Sequence, residues 1–542
     1  MSEEALSFTA KKLQVGFSLK IIAGFIFLGY AFGAPSQEIH HRMTPEERLK
    51  IFHTAGTFVP PYEVVTVHSS RVQKRDINAG HIMEMQAYGQ RVKAWLTPID
   101  GKLATENTPI YTVNSSPNGP QFSVYTDGMK DMIKYLYENK AQAITVSVNE
   151  RPDGSRAMNG ILGQNNLYIK PLPDHLRNYL RRYGRSVNDF ESEHEDKSYH
   201  IVYEMPKTAD NKTLMTPLTQ SIRPKRSAQN SQILYPEILL LVDYTLYSRL
   251  GSNIWDAVPY LLSFWNGVDI MYRTLGRPKY RLNIAAILLA KDPKALEYIR
   301  HLQYPNIDVE TTLTLSGYWL YQNQEVFPID SYDTAVTMTS HTLWVKDKTT
   351  HTYHDGILGI AWVSGTCGVN YHQRNMTKTA VVHDDGGYTG IQTAAHELGH
   401  SLGASHDGTD HAECKHNEGH IMAGSSVANS TKSHEWSPCS RRDMNKFLKE
   451  NQSECLTNRP KNGEAVPRLL PGKLMDANDQ CYMYRKTKAA IIEPSICHQL
   501  NCFLEGNDRM YTQLGSAAAD GTPCGDGLIC IHGHCMDEKI IM

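Results

Sequence analysis

The first 366 residues contain no cysteine; all ten cysteines stand from Cys367 onward. A disulfide framework is therefore excluded from the larger part of the chain, and so is any thiolate ligand or thiol switch there. Charge of one sign is also lacking. The 55 Lys and Arg residues nearly balance the 57 Asp and Glu residues. That balance gives no footprint for nucleic acid or an anionic membrane, and neither is expected as a partner. No stretch has the length of a membrane span, so no membrane anchor is expected. There is no repeat period and no long low-complexity tract, which excludes solenoids and arrays.

What is present is a chain of 542 residues with 41% hydrophobic content. That suffices for about two to four domains with sizeable cores. Lys11, Lys12 and Lys20 precede the apolar run "IIAGFIFLGYAFG", which ends in small residues at Ala31 and Gly33. This pattern predicts a secretory signal over residues 1–33 and a secreted, extracellular protein. An even cysteine count suits that oxidising compartment. Five N-x-S/T sequons, at Asn114, Asn211, Asn375, Asn429 and Asn451, are candidate glycosylation sites.

Residues 34–226 carry short alternating segments such as "PPYEVVTVH" and "AQAITVSVN", which read as strands. They end in "RPKR", with Arg226 followed by Ser227. Its position, between a cysteine-free region and a new start, favours cleavage by a proprotein convertase between those two residues, with 34–226 as a propeptide. The unit over 227–459 alternates strands and helices, an α/β layer pattern. Strands are expected over 237–247, 280–290 and 356–365, and helices over 253–276 and 332–343. A last helix over 440–451 is expected to be capped by Ser440 and Asp443. A linker opens the final unit, 460–542, whose six cysteines make it a small disulfide-rich module. Fifteen pairings of those six are open.

The chemistry lies in "HELGHSLGASH", from His396 to His406. Ile391, Ala394, Ala395, Leu398 and Leu402 recur at helical spacing and form one apolar stripe. His396 and His400, four apart, are neighbours on the other side. Gly403 suits a left-handed helix end, after which the chain turns and His406 returns to the same point. Three neutral imidazoles and one open position make a catalytic zinc site; a structural site would take four protein ligands. Glu397 is the expected base, able to take a proton from water and pass it to a leaving amine.

"HELGHSLGASHD" resembles the zinc motif of the metzincins, and Asp407 after the third histidine is similar to the reprolysin (adamalysin) branch, which includes the ADAMTS proteases. "GHIMAGS" resembles the family's methionine turn, which implies Met422 as an apolar floor. "GIAWVSGTC" resembles its edge strand. "EWSPCSRRDMNKFLKENQSECL", "LLPG…QC" and "DGTPCGDGLICIHGHC" resemble the end of an ADAMTS catalytic domain and part of the disintegrin-like and cysteine-rich segment. The resemblance runs from about Glu237 to Cys535. It implies an α/β metzincin domain with a twisted, mostly parallel sheet, an edge strand and a zinc-binding helix. It also implies a structural Ca²⁺ site at Glu237, Asp333 and Asn458, and disulfides Cys367–Cys455 and Cys414–Cys439.

The departures are specific. Met158, in "SRAMNGILG", stands where similar propeptides often carry a cysteine. No RGD tripeptide and no thrombospondin-type repeat occur among the 542 residues. The layout is similar to the secreted salivary metalloproteases of blood-feeding arthropods. The reading is a secreted zinc endopeptidase made as a zymogen, acting on extracellular matrix or plasma proteins that lie along the edge strand. The rival is an adhesion or receptor-binding protein that acts through the disintegrin-like tail. Without a thiol, latency is expected from a propeptide strand in the edge groove, or from a group of "HEDKSYH", 194–200, on the metal.

Overall fold

The computed structural model describes residues 38–52, 59–72, 80–98, 103–105, 107–125, 129, 136–139, 144–150, 155–162, 167–183, 198–204, 233–427, 430–460 and 469–538. The expected signal over 1–33 and the Arg226–Ser227 bond lie outside the described residues.

The N-terminal region is a closed antiparallel barrel. Around it run Tyr62–Val72, Ser198–Glu204, Leu167–Pro171, Arg156–Leu162, Ile144–Glu150, Leu136–Asn139, Gln90–Pro98 and Gly80–Ala87. Alternate residues point inward, as the two-residue period of a strand requires. Met83 with Met85, Ala94 with Leu96, and Val146 with Val148 fill the interior.

The second unit is built on a seven-stranded sheet. Its order is Gly359–Ala361, Thr379–His383, Thr334–Thr339, Glu237–Val242, Asn283–Ala290, Ile110–Asn114 and Gln121–Val124. The five strands from Thr379–His383 to Ile110–Asn114 run parallel, and each end of the sheet carries one antiparallel strand. Ile238, Leu240 and Val242 face one core, with Trp265 and Leu398. Leu239 and Leu241 face the other, with Leu313 and Trp319. Burial on both faces explains the unbroken apolar run "EILLLV". The last two strands come from the N-terminal region. They form a hairpin inserted between barrel strands Gln90–Pro98 and Leu136–Asn139.

Several local expectations need correction. Residues 332–343 are not a helix: Thr334–Thr339 is a strand whose six residues are all buried. A fully buried central strand has no alternation, so its period resembles nothing in particular. The helix lies earlier, at Val309–Gln322, with Asp308 accepting from Thr311 N at its start. Its three threonines disguise it, because β-branched side chains favour strands. The first strand stops at Val242, where Asp243 caps the short helix Tyr244–Arg249. The last helix is Pro438–Phe447, and its cap is Ser437 rather than Ser440.

Three disulfides, Cys481–Cys502, Cys497–Cys530 and Cys524–Cys535, hold the C-terminal module. Cys367–Cys455 and Cys414–Cys439 are formed in the catalytic unit. Among the described residues, no helix is long and apolar enough to cross a membrane.

Candidate active site

The helix Ile391–Ser401 buries Ile391, Ala394, Ala395 and Leu398, and turns its histidines to a cleft. Two glycines make this possible. A Cβ on Gly399 would stand 2.7 Å from Met422 Sδ and 3.0 Å from the Trp436 ring. Gly403 has φ +99°, and a Cβ there would stand 2.7 Å from Phe447 Cβ. Past Gly403 the chain reverses and His406 returns.

His406 Nε2 then lies 3.1 Å from His396 Nε2 and 3.0 Å from His400 Nε2. On the far side of each ring, His396 Nδ1 is 2.7 Å from the Ile421 carbonyl and His400 Nδ1 is 2.7 Å from the Ala404 carbonyl. A nitrogen facing a carbonyl must carry the proton, so the converging Nε2 atoms of these two rings present lone pairs. Burial, reinforced by the neighbouring imidazoles, pushes His396 down to about 3 and His400 to about 4, which keeps both neutral. Such lone pairs repel unless a cation sits among them. Ligands at zinc–nitrogen distances of about 2.0–2.1 Å in a tetrahedron stand roughly 3.3 Å apart, close to the spacing here. The three histidines therefore fit zinc, and they form a candidate metal cluster.

Beneath them, Met422 is fully buried and its carbonyl accepts from Asp407 N at 2.9 Å. Glu397 is buried against the edge strand. A Cβ on Gly359 would stand 2.6 Å from its Cγ and 2.7 Å from its Oε1. Burial alone pushes Glu397 up to about 8 in the metal-free chain; a dication beside it favours the carboxylate and acts the other way.

The cleft has a volume of about 680 Å³. Its walls are the edge strand, the histidine helix and the Ala423–Val427 loop. His498, Gln499 and Leu514 of the C-terminal module also line it. Sequence reasoning missed that contribution, which only tertiary packing reveals. No described residue of the barrel lines the cleft.

The three residues expected at calcium also come together. Asn458 Nδ2 donates to Glu237 Oε2 at 2.7 Å, and Glu237 N donates to Asp333 Oδ2 at 2.9 Å. Asp333 and Asn458 line a cavity of about 450 Å³ with Lys378. Lys378 Nζ donates to the Tyr332 carbonyl at 2.6 Å and lies 3.9 Å from the centre of its ring. The oxygen donors suit a hard cation, and the lysine, which sequence reasoning missed, already supplies a positive charge beside them.

Two expectations fail on burial. Asn375 is only 8% exposed, so its side chain is not accessible for a glycan in this fold. His200 is fully buried in the barrel; its Nε2 accepts from Met158 N at 2.8 Å and its Nδ1 faces the Ser198 carbonyl. It is not a metal ligand in this arrangement. The rest of the charged run, 194–197, lies outside the described residues, as do Asn211 and Asn429. Asn114 and Asn451 are exposed.

Three converging imidazoles with a buried glutamate beside them, in a cleft under a sheet edge, define a metallopeptidase centre. Residues 234–460 match the reprolysin (M12B) zinc metalloprotease family, and residues 471–536 match the ADAMTS cysteine-rich domain 2. The chain belongs with the ADAMTS-like reprolysin metalloproteases and is a zinc metalloendopeptidase. It is 29% identical over 524 residues to "A disintegrin and metalloproteinase with thrombospondin motifs like" of Bombyx mori, covering 87% of this chain and 74% of that one. "A disintegrin and metalloproteinase with thrombospondin motifs 1" of Mus musculus is 30% identical over 59% of this chain, which spans 31% of it. "Venom metalloproteinase 3" of Eulophus pennicornis is 25% identical over 79% of this chain and 97% of its own.

Proposed function

We propose that the protein is a secreted endopeptidase, made as a precursor cut after Arg226, that hydrolyses extracellular proteins. The observation that carries this reading is His406 Nε2 within 3.1 Å of both His396 Nε2 and His400 Nε2, with His396 and His400 each pinned from behind by a carbonyl. His396, His400 and His406 would hold the metal, and Met422 would floor it. Zinc bound there supplies Lewis acidity toward water and a peptide carbonyl. Glu397 takes the proton of the attacking water and delivers it to the departing amine. Among the described residues Gly359–Ala361 has a sheet partner on one side only, so its other edge can pair with an extended peptide. The tail residues that line the cleft would meet the same peptide. That lining supports a role for the C-terminal module in substrate binding.

Glu237, Asp333 and Asn458 would hold a structural Ca²⁺, and Asn114 and Asn451 are accessible for glycans. The test is hydrolysis of a quenched peptide library by the purified secreted protein, with and without a zinc chelator. Cleavage indifferent to the chelator would overturn the reading.

A further inference from the structure

The hairpin Ile110–Gly119–Val124 belongs to the catalytic sheet as fully as any strand after residue 227. Ile110–Asn114 pairs in parallel with Ile287–Ala290. Ile287 N donates to the Pro109 carbonyl at 3.1 Å, and Lys291 N donates to the Val113 carbonyl at 2.9 Å. Upstream, Ile284 N donates to the Leu103 carbonyl at 2.7 Å. Ser115 N donates to Asp292 Oδ2 at 2.7 Å.

Side chains bind it to both cores. Leu103, Ala104, Ile110 and Met129 are fully buried in the core that holds Trp265 and the histidine helix. On the other face Phe122 packs on Trp319 and Phe327, with ring centres 5.8 Å and 5.6 Å apart, and Tyr111 packs on Phe327 at 5.2 Å. Farther away, Lys170 of the barrel pairs with Asp479 of the C-terminal module at 3.2 Å. Departure of the hairpin would leave Asn283–Ala290, an apolar strand, as a bare sheet edge. Such an edge invites aggregation. Among the described residues, none of 38–204 lines the cleft.

We propose that the N-terminal region is a permanent structural subunit: after the chain is cut at Arg226, residues 103–125 stay in the sheet and hold the barrel on the mature enzyme. This rests on the maturation reading above only for the place of the cut. The propeptide then acts by completing the sheet, not by plugging the cleft, which accords with its lack of cysteine.

The experiment is native gel filtration of the secreted full chain after cleavage, with intact mass measured across the peak. The expected result is fragment 34–226 and the mature chain in one peak at equal amounts, separating only in denaturant. Two separate peaks, with a mature chain that keeps its peptidase activity and unfolding midpoint, would overturn the proposal. If mass shows that the chain is not cut at Arg226, the maturation reading fails by itself. A site-specific protease sequence placed across 223–227 then supplies the cut and the same comparison stands. Tyr111→Ala with Phe122→Ala should increase the released fragment at least tenfold, whereas Met510→Ala on the exposed tail hairpin should not. Should the double variant fail to fold, hydrogen exchange on the cut wild-type complex decides. Slow exchange of the 284–291 amides supports retention, and exchange at the rate of an open edge refutes it.

Discussion

Ser437 Oγ donates to Asp407 Oδ1 at 2.7 Å and accepts from Ser440 N at 3.1 Å. One hydroxyl thus caps the helix Pro438–Phe447 and holds the residue that follows the third histidine. Because Asp407 N also donates to the Met422 carbonyl, the His406 loop, the methionine turn and the last helix form one connected support.

Ser437→Ala should weaken that support in two ways. Loss of the cap costs about 1 kcal/mol. The buried Asp407 also loses the partner of its Oδ1, at a cost of roughly 1–3 kcal/mol. Residues behind metal ligands typically change metal affinity by about 10–100-fold. Competition with a fluorescent zinc chelator should show a shift of that order, with a lower unfolding midpoint. Unchanged zinc affinity would mean that the loop is held by other contacts.

Glu397→Gln separates metal binding from catalysis. The three imidazoles are untouched, so zinc content should stay at wild-type stoichiometry. The amide cannot take a proton, so kcat should fall by a factor of about 100 to 10,000. Metal analysis and peptide kinetics on the same preparation check both halves. A near wild-type rate would remove Glu397 from the mechanism.

Gly403→Ala tests the turn that returns His406. At φ +99° a Cβ is strained, and here it also meets Phe447 Cβ at 2.7 Å. Strain of this kind costs on the order of 1–3 kcal/mol. Because the turn sets His406 relative to the other two ligands, zinc loss should accompany the fall in stability. A stable variant that keeps full zinc occupancy would show that the loop has another way to close.

The convergence of the three imidazoles was legible in the sequence because they sit on one helix and one tight turn, where local periodicity fixes geometry. Asp333 and Asn458, far from Glu237 in the chain, could be named only by resemblance. Lys378 beside them had no local signal at all. The strand Thr334–Thr339 was misread for the opposite reason: burial on both faces erased the period that would have identified it. Residues 103–125 read as part of a separate N-terminal unit. Their true partner, Asn283–Ala290, lies more than a hundred and fifty positions away, and parallel pairing carries no hairpin signal.

The contact between the catalytic unit and its C-terminal module should depend on pH through His434. This side chain is buried, with Nδ1 3.1 Å from Ser433 Oγ. Gly533 leaves room for it; a Cβ there would stand 3.1 Å from Nδ1. Burial pushes His434 down to about 3, and the nearby His532, His498 and His534 add to the effect. In the unfolded chain a histidine titrates near about 6.5. Between those values the unfolded chain binds the extra proton, so stability rises with pH across that window. The contribution is complete above about 6.5 and is lost progressively as pH falls toward about 3. His396 and His400 are depressed as well, so zinc release occupies part of the same range. The comparison therefore uses wild type and His434→Asn with zinc removed from both. Between pH 7.5 and 5.0 the wild-type unfolding midpoint should fall by several degrees more than that of the variant. Parallel slopes would exclude His434 as the titrating group at this interface.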